Sequence, residues 1–131
     1  RKNHDDYVGM NLMTYSEVKF LMAEAALIGG LGASDPEGHY REAIRASMEK
    51  YGILSNPGNF NFENYYDQET VSFALSTNKE ERIMEQKWIA NWQNPQAWFD
   101  WRRTGYPVLD INNAVADLKA ISLLNKLSIS G

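Results

Sequence analysis

Apolar side chains recur with the 3.6-residue period of an α-helix near the start of the chain, at Val18, Leu21, Met22, Ala25 and Ile28. Thr14 and Glu17 have the spacing of a capping box, in which the threonine hydroxyl accepts the Glu17 amide hydrogen. The glycines within 29–32 adopt backbone conformations that end a helix at little steric cost. This pattern predicts a helix over 16–28.

A second helix is predicted directly after these glycines. Asp35-Pro36 is a typical helix start, and one face of the following stretch carries Tyr40, Ala43, Ile44, Ser47 and Tyr51. Because the turn is short, we expect 16–28 and 36–51 to form an antiparallel hairpin, packed through Leu21, Ala25, Ala43 and Ile44. Such a hairpin is tetratricopeptide-like, but a single unit does not demonstrate a repeat.

The rest of the chain is predicted to alternate between loop and helix. Residues 53–66 are rich in asparagine, glycine and aromatic residues and indicate a structured loop. Helices are predicted over 67–76, over 78–93 after the capping box Thr77-Asn78-Lys79-Glu80, over 95–104 after Asn94-Pro95, and, with the weakest pattern, over 114–127. No stretch alternates in the manner of a strand, so the predicted fold class is all-α.

All four tryptophans of the chain lie between Trp88 and Trp101. Trp88 and Trp92 are four residues apart and Trp98 and Trp101 are three apart, so each pair shares a helix face. We expect the four indoles and Tyr106 to form one buried cluster, in which Trp98→Ala would cost about 3–5 kcal/mol. The alternative is a platform on which sugar rings stack.

The two arginines that follow the tryptophans are predicted to have a structural role. Phe99 and Arg103 have the spacing of a cation–π contact, and Asp100 is placed for a local ion pair. This interpretation is favoured over a binding site for a substrate phosphate.

The loop over 59–66 is the better candidate for a surface that contacts a glycan. Planar amides, which bind sugar hydroxyls, alternate there with aromatic rings, which stack on sugar rings. The candidate ligand-binding side chains are Phe60, Phe62, Tyr65 and Tyr66. A structural loop that shields the core is the competing interpretation, and we favour it.

The sequence supports no catalytic residue, metal site or cofactor site. Glu81 and Glu85 share a helix face, but Glu80 and Glu81 lie in a first helical turn, where acids are favoured by the helix dipole, and Glu85 has Arg82 as a neighbour. The only histidines, His4 and His39, are too far apart in sequence to form a recognisable metal motif, and the chain has no cysteine. The glycines of 29–32 follow a helix instead of opening one, which excludes a dinucleotide motif.

Charge and hydropathy narrow the classes of partner. The chain carries 13 basic and 17 acidic residues, a net charge of −4, which does not favour binding to nucleic acid. No apolar run has the length of a membrane span. The chain opens on Arg1 without a methionine or a signal peptide, so we expect residues 1–131 to be a fragment of one larger helical domain.

Two motifs resemble those of the SusD/RagB family of nutrient-binding outer-membrane lipoproteins. The first runs from Tyr15 to Ala26 and contains Ala23-Glu24-Ala25, similar to the Ala-Glu-Ala helix of that family. The second, more specific motif joins Gln86-Lys87-Trp88-Ile89-Ala90 to the stretch from Ala97 to Pro107, AWFDWRRTGYP. The resemblance covers about 14–120. After Ala120 the chain departs from the family pattern.

The resemblance implies an all-α fold with tetratricopeptide-like helix pairs and a non-enzymatic function. Members capture an oligosaccharide, or in some cases a peptide, at the cell surface and pass it to a SusC-like TonB-dependent transporter. They are anchored through a lipidated cysteine that this chain lacks. Most of their ligand face lies upstream of the matched motifs, so the resemblance assigns no ligand residue. The rival interpretation is a helical-repeat module that binds a protein partner.

Overall fold

The computed structural model describes residues 13–55 and 60–110, and five α-helices make up this part of the chain. They are α1 (Tyr15–Ile28), α2 (Pro36–Lys50), α3 (Phe62–Tyr66), α4 (Lys79–Ala90) and α5 (Gln96–Thr104). No β-strand occurs among these residues, which confirms the all-α class. None of the described helices is long and apolar enough to cross a membrane. The helix predicted over 114–127 lies outside the described residues.

Helices α1 and α2 form the predicted antiparallel hairpin. The Ser16 hydroxyl donates to the Ala43 carbonyl over 2.8 Å, and one turn later along α1 the Phe20 ring meets the Tyr40 ring at a centroid distance of 6.3 Å. Successive contacts therefore follow opposite chain directions in α1 and α2, as in an antiparallel pair of helices. The Thr14 hydroxyl accepts from the Glu17 amide at 3.2 Å, as the capping box predicts.

The face through which α1 packs differs from the predicted one. Phe20 and Ala23 are fully buried, whereas Leu21 and Ile28 are 39% and 69% exposed, so the predicted contact through Leu21 is wrong. The buried stripe also contains polar residues, Ser16, Glu17 and Glu24. An apolar pattern alone misplaces this stripe, because two of these polar side chains, Ser16 and Glu24, have partners inside the fold.

The core is centred on Tyr40. Its ring lies 5.4 Å from that of Phe73 and 6.1 Å from that of Tyr66, and its hydroxyl donates to the Val71 carbonyl over 2.6 Å. Burial raises the pKa of this phenol, which therefore remains a hydrogen-bond donor. Ile83 and Met84 of α4 belong to the same buried cluster.

Two predictions about the segment between α2 and α4 are wrong. Part of the predicted loop is helical, because the Asn61 carboxamide oxygen accepts the amide hydrogens of Glu63 and Asn64 and caps α3. The predicted helix over 67–76 is absent, and a series of turns replaces it. These turns are held by the Lys79 ammonium, which donates to the Ala74 carbonyl over 3.0 Å and also to that of Phe73.

The last two helices begin close to the predicted positions. Asn78, and not Thr77, caps α4, since its carboxamide oxygen accepts the Glu81 amide hydrogen at 3.2 Å. Asn94 accepts the Gln96 amide hydrogen at 3.0 Å at the start of α5. Gly105 ends α5 with a φ of 76°, a left-handed conformation that suits glycine.

Candidate ligand-binding groove

The aromatic loop splits into buried and partly exposed side chains. Phe62 and Tyr66 are 6% and 4% exposed and belong to the core, so neither presents a ring face to a ligand. The Arg45 guanidinium lies 4.5 Å from the Phe62 ring centre, and the Tyr66 hydroxyl donates to Glu37 over 3.1 Å. Burial, reinforced by the Glu37 charge, raises the pKa of the Tyr66 phenol.

Phe60 and Tyr65, the other two candidates from this loop, are only partly buried. Their ring centres are 6.1 Å apart. Both line cavities, and Tyr65 borders two of them. Of the four candidate side chains, these are the two that the structure leaves available for a ligand.

The larger of these cavities is an open groove of about 520 Å³ along one face of α4, which we name the α4 groove. This volume lies within the usual range of small-molecule sites, about 300–1,000 Å³. The groove is lined by side chains of both polar and aromatic character, Tyr65, Gln68, Thr70, Val71, Arg82, Glu85, Gln86, Trp88, Ile89, Pro107 and Leu109.

An ion pair forms the polar edge of the α4 groove. Arg82 Nη1 lies 3.0 Å from Glu85 Oε2, as the sequence led us to expect, and Nη2 donates to the Glu69 carbonyl over 3.2 Å. The third guanidinium nitrogen, Nε, is buried and has no hydrogen-bond partner. The edge is therefore rigid and locally neutral. An acid already held in an ion pair is also poorly suited to act as a general acid.

Gln86 lines both cavities that Tyr65 borders. It is 6% exposed, and the Tyr65 hydroxyl donates to its Oε1 over 3.1 Å. Its amide nitrogen has no hydrogen-bond acceptor in the part of the chain that the structure describes. Whichever way the carboxamide is turned, one of its two ends is free to bind a ligand in the groove.

A smaller, mainly apolar cavity of about 260 Å³ is also lined by Tyr65 and Gln86. It is bordered by Phe60 and by aliphatic side chains of α2 and α4, including Ile44, Met48 and Ile89. Tyr65, Gln86 and Ile89 are common to both cavities. The two cavities therefore share part of their walls.

The tryptophans do not form the single buried cluster that their spacing predicts. Trp92 is 71% and Trp98 is 51% exposed, and Trp88 and Trp101 are only partly buried. Trp98 and Trp101 do stack, with ring centres 4.9 Å apart. The prediction fails because α5 turns a charged residue, Asp100, toward the core instead of its indoles.

Four charged side chains fill the space where α1, α4 and α5 meet, and we name them the charged junction: Glu24, Lys87, Asp100 and Arg103. Lys87 is 1% exposed, and its Nζ lies 2.8 Å from Asp100 Oδ2, although this contact does not have the geometry of a directed hydrogen bond. Arg103 binds both carboxylate oxygens of Glu24 and lies 3.3 Å from Asp100 Oδ1.

The charged junction revises one prediction about Arg103 and confirms another. Its guanidinium binds Glu24 and Asp100, so the predicted cation–π contact with Phe99 is wrong and the local ion pair with Asp100 is confirmed. The hydrogen bonds that Arg103 donates to the Glu24 carboxylate raise the pKa of Arg103 above its ordinary value. Glu24 belongs to the first sequence motif and the other three residues to the second, so this junction joins the two motifs.

The sequence indicated Tyr65 as a candidate ligand residue but did not identify the α4 groove as a site. Arg82, Glu85, Gln86 and Ile89 follow the i, i+3, i+4, i+7 spacing of one helix face, and this mixed polar and apolar face was the available signal. Among the described residues, no group of three or more His, Asp or Glu side chains is arranged to hold a metal ion.

The described helices and the charged junction define an all-α scaffold. A family model for SusD-like proteins, described as "Starch-binding associating with outer membrane", matches residues 2–124. The chain belongs to this SusD-like family. Neither the curated proteins nor the solved structures gave a significant match.

Proposed function

We propose that this chain is part of a surface-exposed lipoprotein that captures a glycan and passes it to a SusC-like TonB-dependent transporter. The observation that carries the proposal is the family match over residues 2–124. The charged junction supports it, because the buried charges explain why the two motifs occur together in one helical scaffold.

The proposed function is binding without catalysis. The α4 groove offers aromatic rings and hydrogen-bonding groups, which suit the recognition of a neutral sugar. Its one carboxylate, Glu85, is paired with Arg82, whereas glycoside hydrolysis requires two carboxyl groups that flank the scissile bond. Incubation of the protein with a glycan that it binds should therefore release no reducing ends.

The test of this function uses the protein as its own cell makes it, with an affinity tag added at the gene. We expect the tagged protein in the outer-membrane fraction, cross-linked to a TonB-dependent barrel, and retarded in native gels that contain starch, mannan or a host-type glycan. Recovery from another compartment, or no retardation by any of these glycans, would contradict the proposal.

The second candidate function is that of a helical module that binds a protein partner. It is favoured by the aromatic residues that α5 and the preceding turn leave exposed, Trp92, Trp98 and Phe99. The same cross-linking experiment separates the two candidates. A stable complex with a protein other than a transporter, without any retention by glycans, would favour this function over nutrient capture.

A further inference from the structure

The geometry points to the α4 groove as a sugar subsite, in which Trp88 stacks on a pyranose ring while Gln86 and the Arg82–Glu85 pair bind its hydroxyl groups. This inference rests on the proposed function, because it takes the ligand to be a glycan. It adds a location within this chain and assigns a role to each of these side chains.

Polar groups without hydrogen-bond partners border the groove. Gln86 is more than nine-tenths buried, and one end of its carboxamide is unbound in the part of the chain described. Arg82 Nε is buried without a partner, and the Trp88 indole nitrogen donates to no described residue. Because buried polar groups in proteins are nearly always hydrogen-bonded, the buried Arg82 Nε, together with the unpaired donors of Gln86 and Trp88 at the same cavity, indicates a ligand that supplies acceptors.

These donors are combined with aromatic surface in the groove. Trp88 and Tyr65 both line the groove and are only partly buried. A pyranose has apolar C–H groups on its faces and hydroxyl groups around its edge, so it requires a ring to stack on and donors beside it. An alkyl chain would leave the donors unpaired, which is costly.

The groove carries no net charge, and its polar side chains are held in place before a ligand binds. The Arg82 and Glu85 charges compensate each other at 3.0 Å, so the groove carries no excess charge with which to select a charged ligand. The guanidinium is further fixed by the Glu69 carbonyl, and Gln86 is fixed by the Tyr65 hydroxyl. Side chains that are ordered before binding lose little conformational entropy when the ligand arrives.

The test compares three variants of the natural protein: Trp88→Leu and Gln86→Leu in the groove, and Trp92→Leu as the matched control. Trp92 lies four residues beyond Trp88, is 71% exposed and does not line the groove. The probes are amylopectin in native affinity gels and maltoheptaose in calorimetry. We expect both groove variants to bind maltoheptaose about tenfold more weakly or worse, and Trp92→Leu to bind like the wild type.

A fluorescence measurement covers the case in which Trp88→Leu does not fold. Maltoheptaose should change the tryptophan emission of the wild type and of Trp92→Phe, but not that of Trp88→Phe. Wild-type affinity in both groove variants would overturn the sugar subsite and leave the proposed function intact. A wild-type protein that binds neither starch nor mannan nor a host-type glycan would overturn the proposed function, and the subsite with it.

Discussion

Gln86 and Lys87 are neighbours in sequence and both are buried, yet they serve different parts of the molecule. Lys87 points into the charged junction, where its ammonium lies 2.8 Å from the Asp100 carboxylate. Gln86 borders the α4 groove, where only one end of its carboxamide is bonded. The comparison shows that burial of a polar residue does not identify its role, whereas the partners of its polar atoms do.

The two regions also differ in what their contacts fix. The charged junction joins α1, α4 and α5 through ion pairs between residues 13 to 79 positions apart. The Arg82–Glu85 pair at the groove lies within one turn of α4 and fixes no other helix. We therefore interpret the junction as a scaffold element and the groove as a binding element.

Lys87→Met should have the largest effect on stability. It leaves the buried Asp100 carboxylate without its closest cation, and breaking a buried pair in this way costs about 3–5 kcal/mol of unfolding free energy. Urea denaturation followed by circular dichroism measures this cost. The double variant Lys87→Met/Asp100→Leu is the control and should recover part of it. A cost below about 1 kcal/mol for the single variant would show that the junction does not hold the fold together.

Trp98→Ala should cost less than its sequence spacing predicts. Because Trp98 is 51% exposed, only about half of its surface is buried in the fold. Removing this buried surface corresponds to about 2 kcal/mol of unfolding free energy. The same denaturation assay gives the value, with Trp92→Ala as a more exposed control of smaller effect. A cost of about 4 kcal/mol or more would support the buried tryptophan cluster that the sequence spacing predicts.

Gln86→Leu should change the unfolding free energy by about 1 kcal/mol or less, although the residue is as buried as Asp100. Leucine removes an amide that is only half satisfied, and the partly exposed Tyr65 hydroxyl can turn to water. Thermal and urea denaturation against the wild type provide the measurement. A loss as large as that of Lys87→Met would mean that Gln86 belongs to the scaffold as well.

The smallest effect concerns pH and the α1–α2 hairpin. The Lys19 ammonium, 2.7 Å away, lowers the pKa of the exposed Glu42 carboxyl below its ordinary value of 4.5, and Tyr15 contributes through a hydrogen bond. A lowered folded-state pKa stabilises the fold above pH 4.5, and this contribution is lost as the pH falls through the folded-state value. Glu42→Gln should therefore be less stable than the wild type at pH 7 and equally stable near pH 3. An unchanged difference over this range would contradict the assignment.

The sequence predicts the helices well where capping chemistry is local. The Thr14–Glu17 cap, the start at Asp35-Pro36 and the glycine end at Gly105 are all present, since each depends on side chains within a few residues. Helix faces are predicted less well. Leu21 and Trp98 were assigned to the core by spacing, but the buried positions beside them are occupied by Glu24 and Asp100. Their ion-pair partners, Arg103 and Lys87, are distant in sequence and carry no local signal.

The candidate site was predicted only in part. Tyr65 was selected from the aromatic loop and does line the groove, whereas Phe62 and Tyr66 are in the core. Helical spacing assigns Trp88 to a buried cluster, and Gln86 belongs to a family motif for which the resemblance gives no ligand residue. Only the three-dimensional arrangement shows that their polar atoms face a cavity without partners.

A crystal structure of the natural protein with maltoheptaose tests the central claim most directly. We predict a pyranose ring against the Trp88 indole, with a sugar hydroxyl within hydrogen-bond distance of the free end of the Gln86 carboxamide. The Lys87–Asp100 contact should be unchanged by the ligand, as expected for a scaffold. An oligosaccharide bound elsewhere, with the α4 groove filled by another part of the protein, would contradict the assignment of the groove as a binding site.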